Sequence, residues 1–402
     1  MRMTKHIAIC LTSRGNYART GTILHALDED PDVDLDIIVG GASVVRKYGT
    51  LTEMLKEDDL EVTNTFHNVI EGGKPISAAK TTGLSMMEFA NELSSLEPDA
   101  VITIADRYET MAVTLAASYL NIPVLHTQGG ELTGSIDDKV RHATTKMADY
   151  HFVSTERSKQ IVEHLGEEPE RVFDVGCPSI DLAKDILENG NETYDPQDEY
   201  DGTGSDINIT DDYLVIQYHP VPTDYQSQYD KTWEVIEAVD DLDIPAFWFW
   251  PNMDAGTDQV SKAIREFRNR RQPDDVKFYI NLRPRDYLTV VSNSACLVGN
   301  SSVGIRECSY LGQPSLNIGE RQMHRERAEN VINIPCQADD IRDGIETQVA
   351  SGGYQRSTLY GDGTAGEQIA ELIAELDIER KGPMKPTDLP GMELAAEQQL
   401  SD

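Results

Sequence analysis

The sequence predicts an α/β fold made of two similar halves, each a parallel β-sheet covered by helices. Short runs of β-branched and other apolar residues alternate with segments of helical apolar spacing along most of the 402 residues, and this pattern is typical of a parallel sheet buried on both faces. The alternation is interrupted once, near residues 188–211, by a stretch of Asn, Asp, Glu, Gly and Tyr with almost no aliphatic side chains. Such a composition indicates a linker or surface loop, and a chain of this length is long enough for two domains.

The first half contains a series of predicted strands separated by predicted helices. Residues 6–12 are too short for the apolar part of a signal peptide and lack a cleavage signature, so we interpret them as a buried strand. The other strands are predicted at residues 35–39, 100–105, 123–126, 151–154 and 172–175. The crossover helices are predicted at residues 24–27, 110–120, 137–148 and 156–164.

The second half repeats this architecture without a repeat of sequence. No G-x-G-x-x-G fingerprint follows any predicted strand, so the dinucleotide-binding version of the fold is not supported. Its strands are predicted at residues 213–217, 246–250, 276–280, 295–298, 315–318 and 331–334. The predicted domains are residues 1–188, a linker at 189–211, a second domain at 212–378 and a polar tail at 379–402.

The composition excludes several classes of partner. Asp and Glu total 70 against 35 Lys and Arg, and the excess is spread along the whole chain, so the surface repels nucleic acid and anionic membranes. A strongly acidic surface is also a feature of proteins from salt-adapted organisms, and we expect a halophilic source. No apolar run is long enough to span a bilayer. We therefore expect a soluble protein with no nucleic-acid partner and no membrane partner.

The five cysteines are far apart and form no C-x-x-C pair. This spacing argues against a zinc site and against a disulfide framework, and a set of buried free thiols is typical of the reducing cytoplasm. We expect a cytoplasmic protein with no bound metal.

Polar residues directly after the predicted strands are the candidate site residues, because ligands of open parallel sheets bind beyond the carboxyl ends of the strands. Arg14 follows the first strand in a turn that opens a helix, although an ordinary turn with a solvated arginine has the same pattern. Asp106 and Arg107 follow residues 100–104. We expect Asp106 to move protons and Arg107 to bind a phosphate, the alternative being a surface ion pair.

A third cluster follows the strand at 123–126. Gly129 and Gly130 allow close approach of a ligand to the backbone, and Glu131 comes next. Asp137 and Asp138 lie at a predicted helix start, where carboxylates also act as caps. The need for a helix cap explains the presence of one of these two aspartates more readily than it explains the presence of both.

The second half supplies a Gly-Asn-Ser-Ser turn at residues 299–302 that opens a helix. Such a turn presents amides and hydroxyls to a pyrophosphate. Glu307 in that helix is placed to accept hydrogen bonds from ribose hydroxyls, the alternative being a solvated helix residue. His219 and Asn252 each follow a predicted strand, and we expect His219 to titrate near neutral pH, although a lone histidine is more often structural.

Three separated blocks of the chain resemble the UDP-N-acetylglucosamine 2-epimerase family, and more closely its hydrolysing branch. The resemblance spans roughly residues 5–375 and is densest at residues 129–143, 175–181 and 299–322. It implies two Rossmann-like domains that face a central cleft, the GT-B type of fold. It also implies an enzyme without a cofactor that acts on a UDP-sugar.

The resemblance assigns roles to individual residues. The matching catalytic carboxylates are Asp106, Glu131 and Asp137. Some relatives carry Glu where this chain has Gln128, and an amide cannot abstract a proton, so the base is expected to be Glu131 or Asp137. The implied UDP ligands are His219, Asn252, Asn300, Ser301, Ser302, Glu307 and Arg321 of the second domain, with Arg14 and Arg107 reaching over from the first.

The implied reaction removes the proton at carbon 2 as UDP leaves, which gives a glycal, and water then adds at carbon 1. The first substrate expected is UDP-N-acetylglucosamine, giving N-acetylmannosamine for sialic acid synthesis. The alternatives are a UDP-linked 2,4-diacetamido-6-deoxy sugar of the legionaminic acid pathway, a non-hydrolysing epimerase, a glycosyltransferase and an inactive nucleotide-sugar sensor. A homo-oligomer, dimer or tetramer, is expected. The whole hypothesis requires that the carboxylates of the first half face the turn at 300–302 across one crevice.

Overall fold

The computed structural model describes residues 4–45, 51–72, 74–190 and 193–382. Within these residues the chain forms two seven-stranded sheets, one in each half, with helices packed on both faces. The predicted class, an α/β protein of two parallel-sheet domains, is confirmed.

The first sheet is parallel throughout and has the strand order β3-β2-β1-β4-β5-β6-β7. The interior strand β1, third in this order, shows why the sequence folds in this way. Ile7 and Ile9 enter one buried cluster, while Ala8 and Cys10 enter another on the opposite face, because successive strand residues point to opposite faces. The strands are β1 (Lys5–Leu11), β2 (Val33–Val39), β3 (Asn64–Thr65), β4 (Ala100–Ile104), β5 (Val124–Thr127), β6 (Tyr150–Val153) and β7 (Val172–Asp174).

Seven α-helices connect the strands of this sheet in the described residues. The longest of them, Pro75–Leu96, was not predicted from the sequence, because its Gly and Ser residues weaken the apolar period, although Phe89 and Leu93 are fully buried. The helices are α1 (Arg14–Tyr17), α2 (Gly21–Asp28), α3 (Leu51–Glu57), α4 (Pro75–Leu96), α5 (Tyr108–Leu120), α6 (Ile136–Met147) and α7 (Glu156–His164).

The second sheet has the order β14-β13-β12-β9-β10-β11-β8 and is parallel except for its edge strand β8. That strand lies inside the predicted linker, where two residues pair antiparallel with Lys277 and Phe278. The segment predicted as a linker therefore contributes to the second sheet. The strands are β8 (Thr203–Gly204), β9 (Leu214–Gln217), β10 (Ala246–Phe249), β11 (Val276–Tyr279), β12 (Cys296–Gly299), β13 (Ser315–Ile318) and β14 (Val331–Ile334).

Two helices pack across the expected domain boundaries. Ile180, Ala183 and Ile186 of α8 are buried with residues of the second half, although the helix precedes the predicted linker. The last helix, α14, returns to the first half and buries Ile369 and Ile373 in its core. The remaining helices are α8 (Pro178–Asn189), α9 (Gln228–Asp240), α10 (Thr257–Arg271), α11 (Pro284–Ser292), α12 (Glu307–Leu311), α13 (Ala338–Ser351) and α14 (Ala365–Glu375).

Hydrogen bonds hold the first residues of the predicted polar tail against the first half of the chain. The backbone N–H of Lys381 donates to Asp149 Oδ1 at 2.6 Å, and Arg171 donates to the carbonyl of Glu379 at 2.9 Å. Residues 383–402 of that tail lie outside the described residues. No helix in the described part of the chain is long and apolar enough to cross a membrane.

Candidate active site

Two adjacent strands of the first sheet end in a left-handed residue that is not glycine. Ala105 after β4 has φ +55° and Gln128 after β5 has φ +60°. Side chains other than glycine rarely adopt this conformation, and such strain concentrates at functional sites. At these two points the chain turns sharply off the sheet edge and delivers Asp106 and Glu131.

Glu131 forms a buried ion bridge between the halves. Its Oε2 accepts a hydrogen bond from Arg306 at 2.6 Å and also pairs with Arg325. All three residues are at most 5% exposed. Since buried charges are tolerated only when they are paired, Glu131 and the two arginines stabilise one another where the halves meet.

Asp106 is held ionised by arginines. Burial alone would raise its pKa, but Arg141, which pairs with it directly, and then Arg19, Arg325 and Arg306 hold the pKa well below the ordinary value. A carboxyl with so low a pKa stays ionised near neutral pH. This corrects the expectation that Asp106 takes up and releases protons there.

Asp137 and Asp138 have separate functions at the start of α6. Asp138 accepts hydrogen bonds from the backbone N–H groups of Thr133 at 2.8 Å and Gly134 at 2.7 Å, so it shapes the loop before the helix. Asp137 has no such role. Burial, and then repulsion by Asp106, raise its pKa to about 6, against an opposing effect of Arg321.

The turn at residues 300–302 is fixed by neutral hydrogen bonds. The side chain of Asn300 accepts from the His219 backbone N–H at 2.7 Å and donates to the His219 carbonyl at 2.8 Å. A Cβ at Gly299, which has φ +148°, would lie 2.0 Å from the Gln217 carbonyl oxygen. The amide side chain of Asn300 therefore binds the backbone of His219 and holds the turn in place, and its expected contact with substrate stays a prediction.

Two arginines reach this turn, one from each half. Arg321 donates to the Asn300 carbonyl at 3.0 Å, and Arg19 donates to Ser302 Oγ at 3.3 Å. The side chain of Ser301 accepts from the N–H of Val303. Backbone amides and arginines directed at one turn form a site suited to an anion.

His219 lies beneath the turn and is almost fully buried. Its Nδ1 accepts a hydrogen bond from the N–H of Asn252 at 3.2 Å. Burial, then Arg321 and Arg107, lower its pKa well below the ordinary value. His219 is therefore neutral at pH 7, which corrects the expectation that it titrates there.

The other predicted ligands lie around the same cleft. Arg107 pairs with Glu109 at 3.2 Å and reaches across to Asp254 of the second half at 3.3 Å, and Arg14 donates to the Leu282 carbonyl at 3.2 Å. Glu307 is 7% exposed, and among the described residues its Oε2 has no hydrogen-bond partner. Of these three residues, Arg14 and Arg107 thus contact the opposite half.

Four arginines of this cleft were not predicted as site residues from the sequence. Arg306 directly precedes Glu307, Arg325 lies four residues after Arg321, Arg19 follows the first predicted turn, and Arg141 lies four residues after Asp137. The only feature of the sequence that could have indicated these arginines is their position, because each lies within a few residues of a segment that follows a strand. Arginine at such a position is usually solvated, so only tertiary pairing distinguishes these four.

Known proteins resemble this chain over most of its length. The model of the UDP-N-acetylglucosamine 2-epimerase family matches residues 25–374. The chain belongs to this family. A UDP-N,N'-diacetylbacillosamine 2-epimerase (hydrolyzing) of Legionella pneumophila is 31% identical over 94% of this chain and 97% of the relative. A UDP-N-acetylglucosamine 2-epimerase of Neisseria meningitidis is 27% identical over 91% and 94% of the two chains.

Solved structures show the same fold. The structure of the UDP-GlcNAc 2-epimerase from Neisseria meningitidis with UDP-GlcNAc superposes with a TM-score of 0.74 at 16% identity, over 92% of this chain and all of that one. The enzyme from Methanocaldococcus jannaschii with UDP-GlcNAc and UDP gives 0.75 at 18% identity, over 92% and 99% of the two chains. The GT-B arrangement implied by the sequence is therefore confirmed.

Proposed function

We propose that this chain is a hydrolysing 2-epimerase of a UDP-linked 2-acetamido sugar, releasing UDP and the free sugar inverted at carbon 2. The observation that carries the proposal is the contrast between two neighbouring carboxyls. Asp106 is held ionised, whereas the pKa of Asp137 is raised to about 6. Environments that separate the pKa values of two acids in this way are typical of acid–base sites.

We assign the proton transfer at carbon 2 to Asp137. A general base works best with a pKa near the working pH, because it is then both ionised and basic enough to accept the proton. Asp106 stays ionised and keeps the pKa of Asp137 high through repulsion. Glu131, paired with two arginines, connects the halves on either side of the reacting sugar.

The turn at 300–302 receives the diphosphate in this proposal. As the bond between carbon 1 and the phosphate oxygen breaks, its electron pair leaves with UDP, and negative charge develops on the β-phosphate. Arg19, Arg321 and the amides of the turn are fixed donors for that charge. The electron pair of the covalent bond between carbon 2 and its hydrogen forms the double bond of the glycal.

Hydration completes the reaction. Water adds its oxygen to carbon 1 and a proton is delivered to carbon 2 on the face opposite to the one that lost it. The net change consumes one water and yields UDP and the epimeric free sugar. In this family fold, the buried Glu131 bridge and the Arg107 to Asp254 contact close the halves over the sugar and limit the entry of other water.

Two sugars are candidates. UDP-N-acetylglucosamine, which the sequence analysis favours, would give N-acetylmannosamine for sialic acid synthesis. UDP-N,N'-diacetylbacillosamine is the second candidate, because the relatives from Legionella pneumophila and Campylobacter jejuni, 31% and 30% identical, carry that sugar in their names. We also propose that the protein is cytoplasmic, because its five cysteines are free thiols, and that it is salt-adapted, because its composition is acidic. A homo-oligomer is proposed because most soluble oligomers are symmetric assemblies of one chain.

The test is a product analysis with both sugars. The purified chain is incubated in high salt with each UDP-sugar in deuterated water, and the sugar and nucleotide products are identified by NMR. We expect free UDP and a free sugar carrying deuterium at an inverted carbon 2. Formation of a UDP-linked epimer instead would identify a non-hydrolysing enzyme, and no reaction with either sugar would contradict the proposal.

A further inference from the structure

His126 is a buried histidine of β5 for which the proposed reaction has no use. It is 0% exposed, and both of its ring nitrogens have partners. Nε2 lies 2.8 Å from the carbonyl oxygen of Ala105, and Nδ1 lies 3.3 Å from the hydroxyl of Thr145. A carbonyl oxygen can only accept, so Nε2 carries the hydrogen and Nδ1 accepts from the hydroxyl.

These partners belong to the two elements that carry the proposed acid–base pair. Ala105 is the left-handed residue directly before Asp106. Thr145 lies on α6, which begins at Ile136 and also carries Asp137 and Arg141. The imidazole therefore connects the end of β4 to α6 inside the protein.

We propose that His126 is a positioning residue that sets Asp106 against Asp137 by joining the Ala105 carbonyl to α6. The inference rests on the proposed function, because it assigns a purpose to the spacing of those two carboxyls. His126 itself touches neither the substrate nor the reacting atoms in this proposal. It acts through the strained residue Ala105, whose left-handed conformation needs support from its surroundings.

The charge state of His126 is suited to this function. Burial lowers its pKa to about 3, with smaller contributions from the Ala105 bond and Asp106, which raise it, and His151 and Arg141, which lower it. The ring is therefore neutral throughout the pH range in which Asp137 titrates. A fixed neutral connector leaves the charge balance between the carboxyls and the arginines unchanged with pH.

The spacing has a measurable consequence for Asp137. Burial, Asp106 and Asp254 raise its pKa, while Arg321 and the hydrogen bond from Ser135 lower it. If Asp106 moves away, one of the raising effects weakens and the pKa of Asp137 falls. The acid limb of the pH profile of kcat/KM then moves to lower pH, a change that a loss of packing alone would not produce.

The experiment compares His126→Phe, His126→Gln and wild type with the UDP-sugar that is turned over. Phe keeps a ring but removes both hydrogen bonds, and we expect kcat to fall about 10- to 100-fold, as for a misplaced catalytic group. KM should change little, since the 300–302 turn lies in the other half. Gln carries an amide N–H where Nε2 stands and should restore most of kcat and the position of the acid limb. His164→Phe, an exposed histidine of α7, is the control for the same chemical change.

The outcomes separate this inference from the proposed function. If wild type turns over neither sugar, or Asp137→Asn is fully active, the proposed function fails. If Asp137→Asn is inactive while His126→Phe keeps the kcat and acid limb of wild type, only the positioning role is overturned. If His126→Phe does not fold, His126→Gln is compared with His126→Asn instead. The Asn amide takes the place of Nδ1 and cannot reach the Ala105 carbonyl. Equal activity of the Gln and Asn variants overturns the inference.

Discussion

The two walls of the cleft are built from different chemistry. The front wall consists of three carboxyls of the first half, Asp106, Glu131 and Asp137. Arginines hold the pKa of Asp106 low against its burial, Glu131 is paired with Arg306 and Arg325, and burial and then Asp106 raise the pKa of Asp137. The back wall, the turn at 300–302, is anchored by the neutral hydrogen bonds of Asn300 to His219 and receives the side chains of Arg19 and Arg321. We infer that the front wall controls proton affinity and that the back wall presents a rigid, polar surface to an anion.

This contrast predicts that substitutions in the two walls change different kinetic constants. Interactions that exist only in the transition state affect kcat, whereas those that hold the ground state and the transition state equally affect KM. The front wall should therefore govern kcat with little effect on KM, whereas the back wall, which holds the diphosphate both before and during bond breaking, should govern KM and UDP affinity as well.

The largest expected effect is that of Asp137→Asn. The amide cannot accept the carbon 2 proton, so we expect kcat to fall about 10²- to 10⁴-fold with little change in KM, measured by UDP release at saturating substrate. Asp339→Asn is the matched control, because Asp339 is likewise the second residue of its helix. A loss of less than threefold in kcat for Asp137→Asn would show that Asp137 is not the general base.

Glu131→Gln tests whether the buried bridge stabilises the contact between the halves. The amide leaves Arg306 and Arg325 without their counter-charge, and breaking a buried pair in this way costs about 3–5 kcal/mol. The free energy of unfolding is measured by denaturant titration. Glu237→Gln, which breaks an exposed pair with Arg271, should cost about 1 kcal/mol or less. An equal loss of unfolding free energy in the two variants would show that the buried bridge stabilises the protein no more than an exposed ion pair does.

Asn300→Ala tests the back wall. Removing the side chain leaves the N–H and the carbonyl of His219 without partners and loosens the turn, so we expect UDP to bind about 10- to 100-fold more weakly, equivalent to about 1–3 kcal/mol. The dissociation constant of UDP is measured by calorimetry and kcat in parallel. Asn208→Ala in an exposed loop is the control. A fall in kcat with unchanged UDP affinity would reverse the division between the walls.

Much of the fold could be read from the sequence, and less of the site. The pattern of apolar residues predicts the bounds of six strands in each half to within about two residues, because burial on both faces makes most side chains of these strands apolar. The short edge strands β3 and β8 have no apolar run and were missed. The helix α14 is amphipathic, but nothing in its sequence says which half it covers.

The site residues could be located by their position after strands, but their ionisation could not. Asp106 and Asp137 look alike as acids after a strand or at a helix start. Against its burial, Arg141 and then Arg19 lower the pKa of Asp106, whereas burial and then repulsion by Asp106 raise the pKa of Asp137. His219 follows a strand as expected, yet its burial removes the charge that the sequence suggests. Tertiary neighbours decide these properties.

Acidic pH offers a test of the front wall without any substitution. Asp137 must be ionised to accept a proton, so kcat/KM should be constant above its pKa of about 6 and fall tenfold per pH unit below it. The stability effect has the opposite sign. A carboxyl whose pKa is raised in the folded protein favours the fold while it is protonated, and this contribution is lost as the pH rises through about 6. Asp137→Asn should therefore unfold at a higher temperature than wild type at pH 8, and an equal or lower temperature would contradict the raised pKa.

The smallest expected effect concerns a second connection between the halves, at the rim of the cleft. Arg283 of the second half pairs with Asp58 and, at 2.6 Å, with Glu57 at the end of α3. Unlike the Glu131 bridge, this contact is partly exposed, so Arg283→Gln should lower stability by about 1 kcal/mol or less and raise KM only a few-fold.

High salt distinguishes the two connections. Exposed pairs are screened by salt and buried pairs much less, so the difference between Arg283→Gln and wild type should shrink as the salt concentration increases, while the cost of Glu131→Gln persists. Arg271→Gln, which breaks two ion pairs within the second half alone, is the control and should leave KM unchanged at every salt concentration. A salt-independent defect in Arg283→Gln would place the rim contact in the same class as the buried bridge, and the distinction between the two connections would be lost.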